Sequence, residues 1–241
     1  INTCFENRKM SYYEHCRYRN FEGVAIVCAD FNDPDVLELM NSDLPVVTID
    51  YVHHNCTAVS SNNIQGMEDL VKYIYGQGHR KIAYIHGQQA SYVTKDRLAS
   101  FYRTVDELGL KIPDEYIRTA DYLETREAAK QTKELLNLED PPTCIIYPDD
   151  TALIRWKKCH YRDGTSDTKR HFGSRIRRNK DVTALHPKLT TIKQDTEEIG
   201  REAAKRLIGS IEKPKTTLIE RVVIEGILIP GQSVGKIPEQ K

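Results

Sequence analysis

The stretch SSNNIQGMEDLVKYIYGQGHRKIAYIHG, Ser60 to Gly87, decides the fold class. Within it Met67, Leu70, Val71 and Ile74 recur at helical spacing and share one face of a helix. Gly76 and Gly78 follow, where helix C-termini favour glycine. KIAYIHG, Lys81 to Gly87, is then an apolar run too short for a globular helix, and it reads as a strand buried on both faces. A helix leading into such a strand is the repeating unit of a parallel sheet, whose strands need crossovers between them.

The same alternation extends in both directions. Upstream, GVAIVCA (Gly23 to Ala29) reads as a strand, PDVLELMN as a helix and LPVVTID (Leu44 to Asp50) as a strand. Downstream, KDRLASFYRTVDELG is an amphipathic helix ended by Gly109, and REAAKQTKELLNL and TCIIYPDD repeat the order of helix then strand. Near the end, IGREAAKRLIGSIEK is a strong amphipathic helix, and ERVVIEGILIP reads as one half-exposed strand. The fold class is α/β, with parallel sheets covered on both sides by helices. Such sheets take ligands beyond the carboxyl ends of their strands, so the polar residues just after each strand are the site candidates.

Composition narrows the function classes. The 241 residues carry 35 basic and 35 acidic side chains, so no global charge steers the chain toward nucleic acid or an acidic membrane. Hydrophobic content of 39% and a mean hydropathy of -0.57 suit a globular protein, and no apolar run is long enough for a bilayer. The opening INTCFENRKM lacks a signal peptide and an initiating Met, which points to a fragment of a cytoplasmic protein. Cys4, Cys16, Cys28, Cys56, Cys144 and Cys159 form no CxxC pair, so neither a zinc cluster nor another metal is expected, and free thiols fit a reducing compartment. No GxSxG elbow, phosphate-cradling glycine loop or HExxH is present, so no enzyme and no cofactor are expected.

Several phrases together resemble the effector-binding core of the lac and galactose repressor family. They are PVVTIDY, the Ser60 to Gly87 stretch, KDRLASF, IIYPDDTA and, most specific of all, LHPKLTTIKQDTEEIGREAAKRLI. The resemblance covers most of Gly23 to Pro230 and implies two Rossmann-like lobes of the periplasmic-binding-protein type, joined by three crossovers, with the effector in the cleft between them. The first lobe would hold residues 1–77 and 195–214 without its N-terminal part, and the second 78–194 and 215–232, leaving 233–241 as a tail. The crossovers would fall near Tyr75 to His79, Gln194 to Thr196 and Lys213 to Thr217. The resemblance further implies a sugar or nucleoside-like effector and a homodimer in the intact protein. DNA would be bound only through an N-terminal headpiece absent from this chain, and no membrane is involved. The alternative function on the same architecture is a solute-binding protein for sugar transport.

One segment departs from the family. Between IIYPDDTALI and LHPKLTTI the resemblance implies a helix, a proline and a strand ending in a glycine–aromatic–aspartate turn. What stands there is RWKKCHYRDGTSDTKRHFGSRIRRNKDVTA, Arg155 to Ala184, crowded with basic residues and lacking apolar periodicity. Reading the last two bases of each codon with the first of the next permits GGKNAIIETGLQIPKDISVAGYDGIKMSQ, which contains the missing elements in order. Residues 155–184 are therefore expected to be out of frame, with most of them irregular or highly exposed; the rival reading is a basic loop that binds nucleic acid.

Five residues stand out as effector ligands. Arg97, read at the start of a helix, matches a family arginine that forks onto effector hydroxyls or a carboxylate; a surface arginine is the bland alternative. Asp149 and Asp150 follow the TCIIYP strand, where the family usually has Asn–Asp; either could accept from hydroxyls or cap the next helix. Asn62 is a ligand or a helix N-cap. Tyr122 matches an aromatic that stacks on the effector ring, or it packs in the core.

Overall fold

The computed structural model describes residues 4–5, 8–122, 125–149, 172–176 and 188–237. In chain order the first elements are β1 (Cys4–Phe5), β2 (Arg8–Lys9), α1 (Tyr12–Tyr18), β3 (Val24–Ile26), α2 (Pro34–Met40), β4 (Val46–Ile49) and β5 (Thr57–Ser61). Next come α3 (Asn63–Gly76), β6 (Ile82–His86), α4 (Tyr92–Glu107), β7 (Ile117–Thr119), α5 (Thr125–Leu136) and β8 (Cys144–Tyr147). The last are β9 (Phe172–Ile176), β10 (Thr190–Lys193), α6 (Thr196–Glu212), β11 (Arg221–Ile224) and β12 (Ile227–Ile229). The chain divides into two compact units, one of Ile1–Ser61 and Asp195–Ile224, the other of Asn62–Gln194 and Glu225–Lys241.

The first unit is built on a parallel sheet ordered β11-β5-β4-β3. Val47 and Val59 meet Ile199 and Ala203 of α6 on one side of it, while Cys16, Val36, Leu39 and Met40 of α1 and α2 cluster with Ile26 and Val46. Local chemistry starts these helices where they start. Ser11 and Glu14 form a reciprocal capping box on α1, and Asp33 caps α2 with Pro34 in its first turn. Gly23 is needed for space: a Cβ there would stand 2.9 Å from Leu207 Cδ1 and 3.1 Å from the Pro45 carbonyl.

The second unit is a six-stranded sheet ordered β12-β10-β9-β8-β6-β7, parallel except for β12. The two-residue period of β6 divides its core: Ile82 and Tyr84 join Met67, Leu70, Ile74 and Phe101 of α3 and α4, whereas Ala83 and Ile85 join Ala128 and Leu135 of α5.

The unit boundaries differ from those read in the sequence. Helix α3 belongs to the second unit because its apolar stripe is buried with β6, β8 and α4 in one cluster. ERVVIEGILIP is two strands: β11 pairs with β5 in the first unit, and β12 pairs antiparallel with β10 in the second. The break falls at Glu225–Gly226, where a Cβ on Gly226 would stand 2.8 Å from Ile192 Cγ2. The passages between units therefore lie at 61/62, 194/195 and 224/225. Of the tail read at 233–241, residues 233–237 are held by the second unit. Gln232 and Ser233 N–H donate to the Lys188 carbonyl at 2.7 and 3.0 Å, Val234 is buried, and Ile237 N–H donates to Gln77 O at 2.8 Å.

Irregular structure or high exposure was expected over most of residues 155–184, and Phe172–Ile176 depart from it. These residues form β9, paired in parallel with both β8 and β10. Two flanking parallel strands offer backbone donors and acceptors whatever the side chains are, and an unfilled slot would strand them. The slot is also where the alternative frame places its Ser-Val-Ala-Gly-Tyr. The rest of 155–184 lies outside the described residues.

Candidate functional site

The polar residues of the second unit gather at the carboxyl ends of β6 and β8 and beside α4. Arg97 lies not at the start of α4 but in its second turn, and it is buried, 3% exposed. Its Nε donates to Asn63 Oδ1 at 2.9 Å and its Nη1 to the Pro148 carbonyl at 3.2 Å. A surface arginine is thereby excluded, and the guanidinium is held between the first turn of α3 and the end of β8. Ser100 Oγ, donating to the Ile64 carbonyl at 2.7 Å, holds the two helices in that register.

Asp149 follows Pro148 and is buried, 4% exposed, so it stands in this group. Asp150 lies outside the described residues. Asn62 is an N-cap: its Oδ1 accepts from Gln65 N–H at 3.0 Å, and its Nδ2 donates to Glu225 Oε1 at 2.8 Å. Tyr122 packs against Gly87, so closely that a Cβ there would stand 2.3 Å from Tyr122 Cε2. Its hydroxyl shares a 2.9 Å hydrogen bond with Thr94 Oγ1 on α4. Below it, His86 Nδ1 donates to the Gly87 carbonyl at 2.7 Å, which leaves Nε2 to accept from Thr119 Oγ1 at 3.3 Å. Arg97, Asp149 and Tyr122 thus belong to one neighbourhood, while Asn62 serves the helix end beside it.

Sequence reading missed Asn63, Thr94, Tyr84 and His86. The alternation of β6 could have found the last two, because it puts them on the face that α4 covers. It also missed a pair in the first unit: Phe31 and Tyr51 stack with ring centroids 4.0 Å apart and planes 3° from parallel, just beyond the carboxyl ends of β3 and β4. Asp50 beside them takes a left-handed φ of 59°, and its Oδ1 accepts from Ser61 N–H at 3.4 Å. Among the described residues, no group of three or more His, Cys, Asp and Glu could hold a metal ion, and no helix is long and apolar enough to cross a membrane.

The model of the periplasmic binding proteins and sugar-binding domain of the LacI family matches residues 3–231. The chain belongs to that family. The LacI-type chain is 25% identical over 221 residues to the HTH-type transcriptional repressor PurR of Aliivibrio salmonicida, a match covering 86% of this chain and 62% of that relative. It therefore spans somewhat under two thirds of the repressor it matches. The crystal structure of a LacI-family regulatory protein from Chloroflexus aggregans superposes with a TM-score of 0.77 at 25% identity, over 92% of this chain and 80% of that one. A LacI-family regulator from Enterococcus faecium, crystallised with bound ribose, gives 0.82 at 18% identity, over 98% and 87%. The family expectation and the parallel α/β fold class are thus both met.

Proposed function

We propose that this chain is the effector-sensing part of a transcription regulator, taking a sugar or nucleoside-like molecule and carrying no catalysis of its own. In the intact regulator, a homodimer, binding would change the DNA affinity of a headpiece outside this chain. The observation that carries the reading is the buried Arg97. Burying a guanidinium is unfavourable unless its donors are matched, and here Nε and Nη1 are matched inside the protein. Nη2 is then the group that donates to an effector oxygen, with Asp149 accepting from effector hydroxyls and Tyr122 offering a ring face. The named PurR relative supports regulation over solute transport, and the ribose in the Enterococcus faecium structure supports a sugar.

Titration calorimetry with D-ribose, D-glucose, cellobiose and adenosine tests the reading. One of these binds the wild-type chain, and Arg97→Ala weakens it by about 2–4 kcal/mol, the consequence of stranding charged partners. Unchanged affinity in Arg97→Ala would remove the guanidinium from the site.

A further inference from the structure

Tyr84 sits in the middle of the second unit's core, 1% exposed, its ring 5.3 Å from Phe101 and 5.9 Å from His86. Other tyrosines of this unit have partners for their hydroxyls. Tyr116 donates to the Asp140 carbonyl at 2.5 Å, Tyr147 shares a bond with Thr132 at 3.0 Å, and Tyr122 with Thr94 at 2.9 Å. The Tyr84 hydroxyl is buried and has no hydrogen-bond partner among the described residues. Phenylalanine would fill the same space without stranding an oxygen, so the hydroxyl weakens the unliganded fold.

Its surroundings suggest what the oxygen is for. Burial pushes the pKa of the Tyr84 phenol well above the ordinary value; the charge of Arg97 lowers it and Tyr122 raises it further. Arg97 precedes Phe101, the ring packed on Tyr84, by one turn of α4. It bonds the carbonyl of Pro148, two residues beyond Ile146, the β8 partner of Tyr84. The stranded hydroxyl therefore lies on the side of the sheet that holds Arg97. A phenol O–H and a guanidinium N–H are both donors, and two donors side by side are satisfied together by one oxygen acceptor.

We infer that Tyr84 is a specificity-determining residue of the effector site, its hydroxyl donating to an effector oxygen that also accepts from Arg97. This rests on the sugar or nucleoside reading and deepens it: the effector must carry a hydroxyl, ring or carbonyl oxygen at that position. An effector lacking it leaves the phenol unpaired and binds less well.

Tyr84→Phe removes the oxygen and nothing else. Thermal unfolding of the unliganded variant should show a melting temperature at or above that of the wild type. Calorimetry with whichever of D-ribose, D-glucose, cellobiose and adenosine binds the wild type should show affinity reduced about 3- to 10-fold, the weight of one neutral hydrogen bond. Among the monodeoxy analogues of that compound, one should bind wild type and variant alike, which locates the oxygen. A variant that melts below the wild type overturns the inference alone, since the hydroxyl then has a partner inside the fold. Undiminished affinity for the bound compound does the same. A wild type that none of the four compounds binds refutes the functional reading, and the inference falls with it.

Discussion

Gly87→Ala is the sharpest test of how the site is assembled. Gly87 does not have positive φ, so alanine adds no backbone strain and acts only through its methyl group. That methyl would stand 2.3, 2.4 and 2.8 Å from Tyr122 Cε2, Cζ and Cδ2, where carbon atoms settle about 3.5–4.0 Å apart. The ring must retreat by about 1 Å, which breaks its 2.9 Å hydrogen bond to Thr94. Overpacking contributes about 1–3 kcal/mol and the lost bond about 0.5–1.5. A total near 3 kcal/mol lowers Tm by about 6–12 °C in a protein of this size. The assay is a cycle of thermal melts with Tyr122→Ala. Removing the ring empties the space, so Gly87→Ala should then be worth less than about 0.5 kcal/mol. If alanine at 87 destabilises the Tyr122→Ala background as much as the wild type, the ring is not what meets it.

Two further outcomes follow from the second unit. His79 is buried between Thr143 Oγ1 and the Gly235 carbonyl, each at 3.0 Å. Burial holds its pKa below the usual value near 6.5; the bond to Gly235 raises it again and Arg80 lowers it further. The unfolded chain then binds the extra proton first, so stability is full above about pH 6.5 and declines as pH falls toward the folded value. Denaturant melts from pH 7.5 to 5 should show this decline, and His79→Gln should flatten it; an unaltered slope would assign the effect elsewhere. For residues 155–184, the genomic DNA should show two compensating shifts of frame, and the chain with GGKNAIIETGLQIPKDISVAGYDGIKMSQ restored should unfold at a higher denaturant concentration. Equal midpoints would count against the frame account.

Much of the fold was legible because β6 and β8 are apolar on both faces and the helices between them have one apolar stripe. The unit boundaries were not. The stripe of α3 shows that the helix must be covered, but Met67, Leu70 and Ile74 would suit either sheet. Strand β5 was hidden because Thr57, Ser60 and Ser61 are polar, yet all five of its residues are buried and the strand lies between β4 and β11, pairing with both. Periodicity alone also could not divide β11 from β12, since the break at Gly226 is set by crowding against Ile192. In the site, Arg97 was singled out by family placement and put too near the helix start, because the first turn of α4 contains the polar Thr94 and Lys95. Asn63 could not be paired with Arg97 from sequence, being 34 residues away. Tyr84 read only as core; its defining property, an oxygen without a partner, exists only once the ring is packed.

The two strands that finish the sheets are neighbours in the chain, β11 ending at Ile224 and β12 starting at Ile227. During synthesis on the ribosome, neither sheet can complete its pairing until this stretch has left the exit tunnel. Until then β5 and β10 each present a row of unpaired backbone groups, the kind of edge that recruits other chains. Most of the polypeptide is out by that point, so the nascent protein passes a prolonged interval with two adhesive borders open together. Its yield in a cell should therefore respond to chaperone supply and translation speed more than its final stability suggests.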